Sequence, residues 1–146
     1  MITVLLVDDN GPIRKSLRAL LEAAEDIRIV ATATNGVDAI DMATFHRPDV
    51  AVMDISMPLM DGIEATEQIR ECCRVTRVVL VTGFDDPEHV QRALKVGAKG
   101  YVLKDSVGED LLDAIHAVQQ GSHYFSEKIA GIARTFMNEQ GEEQQR

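Results

Sequence analysis

Strand-like apolar runs alternate with helix-period segments along most of this chain. The runs fall near residues 2–7, 27–33, 49–53, 77–82 and 99–103, and between them apolar residues recur every three or four positions. Pro12 opens the first helical segment, where Ile13, Leu17, Leu20, Leu21 and Ala24 share one face. The second helix is predicted over about 37–45. Asp61-Gly62 offers a start for the third, with Ile63, Thr66 and Ile69 behind it; Asp86-Pro87 pairs an N-cap residue with a first-turn proline for the fourth, which Gly97 ends. The fifth is predicted over 107–119, with Leu111, Leu112, Ile115 and Val118 inward and Gly121 as its stop. Strands alternating with helices in this way predict parallel βαβ units with right-handed crossovers, a doubly wound (βα)5 sheet of the α/β class.

A sixth helical segment is predicted over 126–138, outside that five-stranded unit, with Ile129, Ile132, Ala133, Phe136 and Met137 on one stripe. Residues 139–146 are polar and aperiodic, which reads as a frayed tail or the start of a linker. The expected division is one domain over 1–121 and a linker helix with a polar tail over 122–146. The stripe needs a partner surface: the chain's own domain, a further domain, or a second copy.

With 146 residues, 45% of them hydrophobic, the chain can bury one good core and little more. A formal charge of −9 without a long Lys/Arg cluster argues against gripping nucleic acid through its phosphates. No apolar run reaches the roughly 20 residues of a spanning helix, and Met1 leads directly into a strand, so a cytoplasmic protein without membrane contact is expected. Cys72 and Cys73 are adjacent, a poor geometry for a mutual bridge and not a metal-binding spacing. The four histidines are scattered, which leaves no zinc pattern.

Chemistry enters at the strand ends. Asp8 and Asp9 follow the first strand, Asp54 the third, Thr82 ends the fourth and Lys104 the fifth. Parallel strands deliver their C-terminal ends to one edge of an open α/β sheet, where ligands bind. An aspartate after a strand is commonly only a turn or helix cap. Three carboxylates, a hydroxyl and a lysine converging on one edge have a chemical task instead. The acids repel one another unless a hard divalent cation lies among them, and such oxygen-rich sites suit Mg²⁺. Lys104 would complete a phosphoryl pocket.

The strings LLVDDN, VMDISMP, LVTG and YVLKD, taken together, resemble the receiver domain of two-component response regulators over about residues 1–120. The resemblance implies a flavodoxin-like sheet of strand order 2-1-3-4-5. It implies that Asp54 is the phosphoacceptor, with Asp9 the principal Mg²⁺ ligand, Asp8 supporting it and the backbone carbonyl of Ser56 a further ligand. Mn²⁺ would substitute. A sensor histidine kinase would supply the phosphoryl group, taken up stoichiometrically and not in enzymatic turnover. Thr82 would then move toward the phosphate, and Tyr101 would follow into the vacated space, altering a surface made of the fourth helix, fifth strand and fifth helix.

Gly83, where Ala or Ser is usual, and Asp105, where many receivers have proline, depart from the commonest pattern. GYVLKD, with a sixth helix beginning YFSEKIA, is similar to the NarL/FixJ (LuxR-type) branch, whose members usually continue into a helix-turn-helix DNA-binding domain. That domain is absent from these 146 residues, so the chain reads as the receiver part of a longer transcription regulator or as a stand-alone receiver acting through protein contacts. Homodimerisation on phosphorylation is expected, and contact with DNA only through the effector domain. A dehalogenase-like phosphatase would carry its nucleophile after the first strand in a DxD arrangement, and an FMN carrier would need a hydroxyl-rich loop where Asp8 and Asp9 stand.

Overall fold

A computed structural model describes residues 1–145. Its sheet is wholly parallel, with β1 (Ile2–Val7), β2 (Ile27–Ala33), β3 (Val50–Asp54), β4 (Arg77–Thr82), β5 (Gly100–Leu103) and β6 (Tyr124–Phe125) in the order β2-β1-β3-β4-β5-β6. The helices are α1 (Gly11–Glu22), α2 (Gly36–His46), α3 (Gly62–Cys72), α4 (Pro87–Lys95), α5 (Val107–Gln119) and α6 (Glu127–Gln145), with a 3₁₀ turn at Lys104–Ser106. The flavodoxin-like order 2-1-3-4-5 is therefore present, extended by one strand.

Because successive strand residues face opposite sides, each strand feeds two cores. Leu5 and Val7 pack with Met53, Leu80 and Tyr101 beneath α2, α3 and α4, whereas Val4 and Leu6 pack with Val52, Val81 and Val102 beneath α1 and α5. Strands covered on both faces read as unbroken apolar runs, which is why ITVLLV and VVLV show no polar alternation. Side chains cap four helices: Asn10, Asn35, Asp61 and Asp86 each accept from a backbone N–H three residues on.

Two features depart from the sequence expectation. Residues 124–125 form a sixth strand, parallel to β5 and registered Gly100 to Tyr124 and Tyr101 to Phe125; a two-residue strand carries too little periodicity to be read from sequence. The sixth helix, an addition to the five-stranded unit as expected, docks on the chain's own domain. Ile129 and Ala133 are fully buried in the same core as Val90 and Ala93 of α4, and Ile132 packs against it. Of the partner surfaces open to the stripe, the chain's own domain supplies one. Phe136 is half-buried and Met137 is 39% exposed, at the outer margin of that contact. The second departure is that the helix continues through the polar residues to Gln145, where the aperiodic sequence predicts a frayed tail or the start of a linker; Arg146 lies outside the described residues.

Candidate functional site

The C-terminal ends of β1, β3, β4 and β5 bring Asp8, Asp9, Asp54, Thr82 and Lys104 to one edge, as expected for parallel strands. Asp54 closes β3 and is buried, its carboxylate the one charged partner of the Lys104 ammonium among the described residues, with Lys104 Nζ 3.0 Å from Asp54 Oδ2. The Ser56 amide donates to the other oxygen, Asp54 Oδ1, at 3.3 Å. Asp8 is held by its own backbone: its amide donates to the Ala33 carbonyl at 3.1 Å, and its carbonyl accepts from Arg14 Nη1 at 2.7 Å. The Asn10 amide donates to Asp8 Oδ1 at 2.8 Å, while Asn10 also caps α1. Asp9 is exposed beside them.

One carboxylate oxygen from each of Asp8, Asp9 and Asp54 lies within 4.8 Å of the others. Asp8 Oδ2 is buried and has no hydrogen-bond partner among the described residues. An orphaned acceptor in a group of three acids is the donor set of a hard, oxygen-seeking divalent cation. The electrostatics agree. Burial raises the Asp8 carboxyl above its ordinary 3.8, the Asn10 amide opposes that rise, and the charges of Asp54 and then Asp9 add to it against the Lys104 ammonium.

That raised value sets a stability prediction. A carboxyl that holds its proton more tightly in the folded chain binds more protons folded than unfolded between 3.8 and its raised value, so stability falls as pH rises through that window. At neutral pH the whole penalty remains. Asp8→Asn keeps the acceptor for Asn10 and removes the charge. With the buried charge gone, the metal-free variant is expected to melt above the parent near neutrality. The two should converge toward acid pH. Calorimetry in chelator at several pH values checks this, and a variant that melts lower near neutrality would contradict it.

Thr82 and Tyr101 are joined by a residue that sequence reasoning did not assign to the switch. Phe84 donates its amide to Thr82 Oγ at 3.2 Å and accepts at its carbonyl from the Tyr101 hydroxyl at 2.6 Å. Tyr101 is fully buried. Burial raises the Tyr101 hydroxyl far above its ordinary value, with the Asp86 and Asp85 charges adding to the effect. The Phe84 ring stacks on His89, centroids 3.9 Å apart and planes within 5°, which fixes the loop against the first turn of α4.

Gly62 was read only as part of a helix start, yet it also shapes the site. A Cβ there would lie 2.1 Å from the Asp54 carbonyl oxygen, and the Gly62 amide donates to the Ile55 carbonyl at 2.8 Å. Between them, Leu59 has φ 69° and is 83% exposed, an apolar side chain held at the rim of the pocket loop. The surface of α4, β5 and α5 is altered as well, because β6 pairs with the free edge of β5 and α6 packs on α4.

Sheet order, acid cluster and opposed lysine together define a response regulator receiver domain, and residues 4–116 match the family of that description. The chain belongs to this family. Its relatives place it in the NarL/FixJ (LuxR-type) branch. It is 38% identical over 138 residues to the oxygen regulatory protein NreC of Staphylococcus epidermidis, covering 93% of this chain and 63% of that one. To the nitrate/nitrite response regulator protein NarL of Escherichia coli it is 38% identical over 130 residues, 89% of this chain and 60% of that one. The crystal structure of a LuxR-family two-component response regulator from Aurantimonas sp. SI85-9A1 superposes with a TM-score of 0.87 at 32% identity, over 92% of this chain and 96% of that one. The chain thus spans less than two thirds of the length of those two curated relatives. Among the described residues, no helix is long and apolar enough to cross a membrane.

Proposed function

We propose that Asp54 accepts one phosphoryl group from a sensor histidine kinase and that the change is read through the Thr82–Phe84–Tyr101 chain. The observation that carries this reading is the Asp54 carboxylate, buried yet within 3.0 Å of Lys104 and within 4.8 Å of the Asp8 and Asp9 oxygens. A carboxylate in that position is a nucleophile aimed at the sheet edge. One Asp54 oxygen forms a bond to phosphorus as the bond from phosphorus to the donor breaks, and the bonding pair leaves with the donor. Lys104 exchanges its contact with Asp54 for an equatorial phosphoryl oxygen, acting as a point charge.

Asp9, Asp8, Asp54 and the Ser56 carbonyl would hold Mg²⁺, or Mn²⁺ in its place, and the bound cation would neutralise the charge of the acids and of the incoming phosphoryl group. Thr82 Oγ accepts from Phe84, leaving its proton free to donate to a phosphoryl oxygen. Displacing Thr82 would pull on the Phe84 amide, and through the Phe84 carbonyl on Tyr101. Transfer is stoichiometric, with no enzymatic turnover of a substrate.

In the cell the domain would act in the cytoplasm and dimerise on phosphorylation, reaching DNA only through an effector domain outside these residues. Incubation with acetyl phosphate tests the pocket: intact-mass measurement should record a single added phosphoryl group with Mg²⁺ and none after chelation. Equal uptake with and without metal would refute the arrangement, because three uncompensated acids repel an anionic donor.

A further inference from the structure

β5 is gripped at two points by the segment that follows α5. The Ser126 amide donates to the Tyr101 carbonyl at 3.0 Å. Its hydroxyl, on a residue only 1% exposed, accepts from the Leu103 amide at 3.0 Å and donates to Asp110 Oδ2 at 2.9 Å. The remaining Asp110 oxygen takes the Tyr124 hydroxyl at 2.8 Å. Burial raises that hydroxyl to about 12, and the Asp110 hydrogen bond adds to the rise, so it remains a donor throughout the physiological range. Asp110 sits in the first turn of α5, where the helix dipole favours a carboxylate.

These contacts surround one short piece of backbone. Leu103 is where β5 ends, Lys104–Ser106 is the 3₁₀ turn, and Asp110 lies in the helix into which that turn runs. A single hydroxyl therefore ties the entry of the turn to the first turn of the helix beyond it. The turn begins with Lys104, whose ammonium must stay within reach of Asp54. None of its three residues receives a side-chain cap at the turn's own N-terminus. The Leu103 amide would be left without a side-chain partner if the hydroxyl were removed.

We propose that Ser126, oriented by Asp110 and Tyr124, is a positioning residue for Lys104, which makes the β6–α6 segment part of the phosphoryl pocket. This rests on the reading of Asp54 and Lys104 given above. The effect should be steep, because misplacing a charge-stabilising group by a fraction of the contact distance removes much of its benefit.

The test uses the full chain and two readouts, compared at a temperature where every variant is folded by circular dichroism. In the resting protein, the ¹³Cε and ¹⁵Nζ resonances of Lys104 should move in Ser126→Ala and stay near their parent positions in Ser126→Thr, which restores the hydroxyl. With acetyl phosphate and Mg²⁺, Ser126→Ala should slow uptake at Asp54 by about tenfold, with Ser126→Thr within about threefold of the parent. In a Lys104→Ala background the same Ser126→Ala change should have less than about a twofold effect, since a residue acting through Lys104 has nothing left to position.

Unmoved Lys104 resonances in Ser126→Ala would overturn the proposal. So would an undiminished tenfold loss in the Lys104→Ala background, which would mean that Ser126 acts only on general stability. If the parent itself takes up no phosphoryl group, the phosphoacceptor reading fails, while the Lys104 resonances still decide whether Ser126 positions the lysine.

Discussion

Replacing Asp54 with alanine is expected to abolish phosphoryl uptake from acetyl phosphate, a loss of at least about a thousandfold, because a methyl group carries no nucleophilic oxygen. Folding should survive the change. Asp54 ends β3, and its carboxylate meets Lys104 and the Ser56 amide, outside the apolar clusters that hold the sheet together. Removing it frees Lys104, whose side chain is 33% exposed and can be solvated, and relieves the repulsion on Asp8. The melting temperature should therefore shift little while the chemistry disappears. Intact mass reads the uptake and calorimetry the stability. A variant that still gained one phosphoryl group in the parent's yield would place the acceptor elsewhere.

A larger structural loss is expected from one added methyl group. In Gly62→Ala the new Cβ would fall 2.1 Å from the Asp54 carbonyl oxygen, 2.9 Å from its carbonyl carbon and 3.0 Å from Ile55 Cα. All three are backbone atoms, so no flexible side chain can swing aside. The β3–α3 connection must open instead, straining the 2.8 Å bond from the Gly62 amide to the Ile55 carbonyl. Overpacking of this kind costs on the order of 3 kcal/mol, roughly a 10 °C fall in melting temperature for a domain of this size. Since the displaced backbone belongs to the phosphoacceptor, uptake should slow as well.

Gly83→Ala supplies the contrast. It has nothing within 4 Å of its added Cβ and should change stability by no more than about 0.5 kcal/mol. If the two alanine variants melted together, close approach at residue 62 would have no energetic weight.

The five polar strand ends were legible from sequence because their positions follow from local rules. An apolar run long enough to be a buried strand has a definable end, and parallel strands present those ends on one edge. Asp8, Asp9, Asp54, Thr82 and Lys104 could thus be gathered without coordinates, and the resemblance they carry is upheld by the family match. Helix starts were legible for a similar reason, since Asp61 and Asp86 cap amides only three residues away.

Residues whose importance lies in contacts across the fold were not legible. Gly62 looks like any helix-start glycine until the Asp54 carbonyl is found against it, eight residues earlier along the chain. Phe84, two residues after Thr82, can be placed beside the pocket from sequence, but nothing there shows that its two backbone groups join Thr82 to Tyr101. Ser126 reads as a polar residue before a helix, and only packing brings it to Leu103 and Asp110, which are 23 and 16 residues away. Periodicity and capping report interactions among near neighbours, so they fixed the elements and the edge on which the chemistry sits. The distances among side chains on that edge, and the folding of α6 back onto α4, arise when separate elements compete for the same buried volume, and that competition is resolved only in three dimensions.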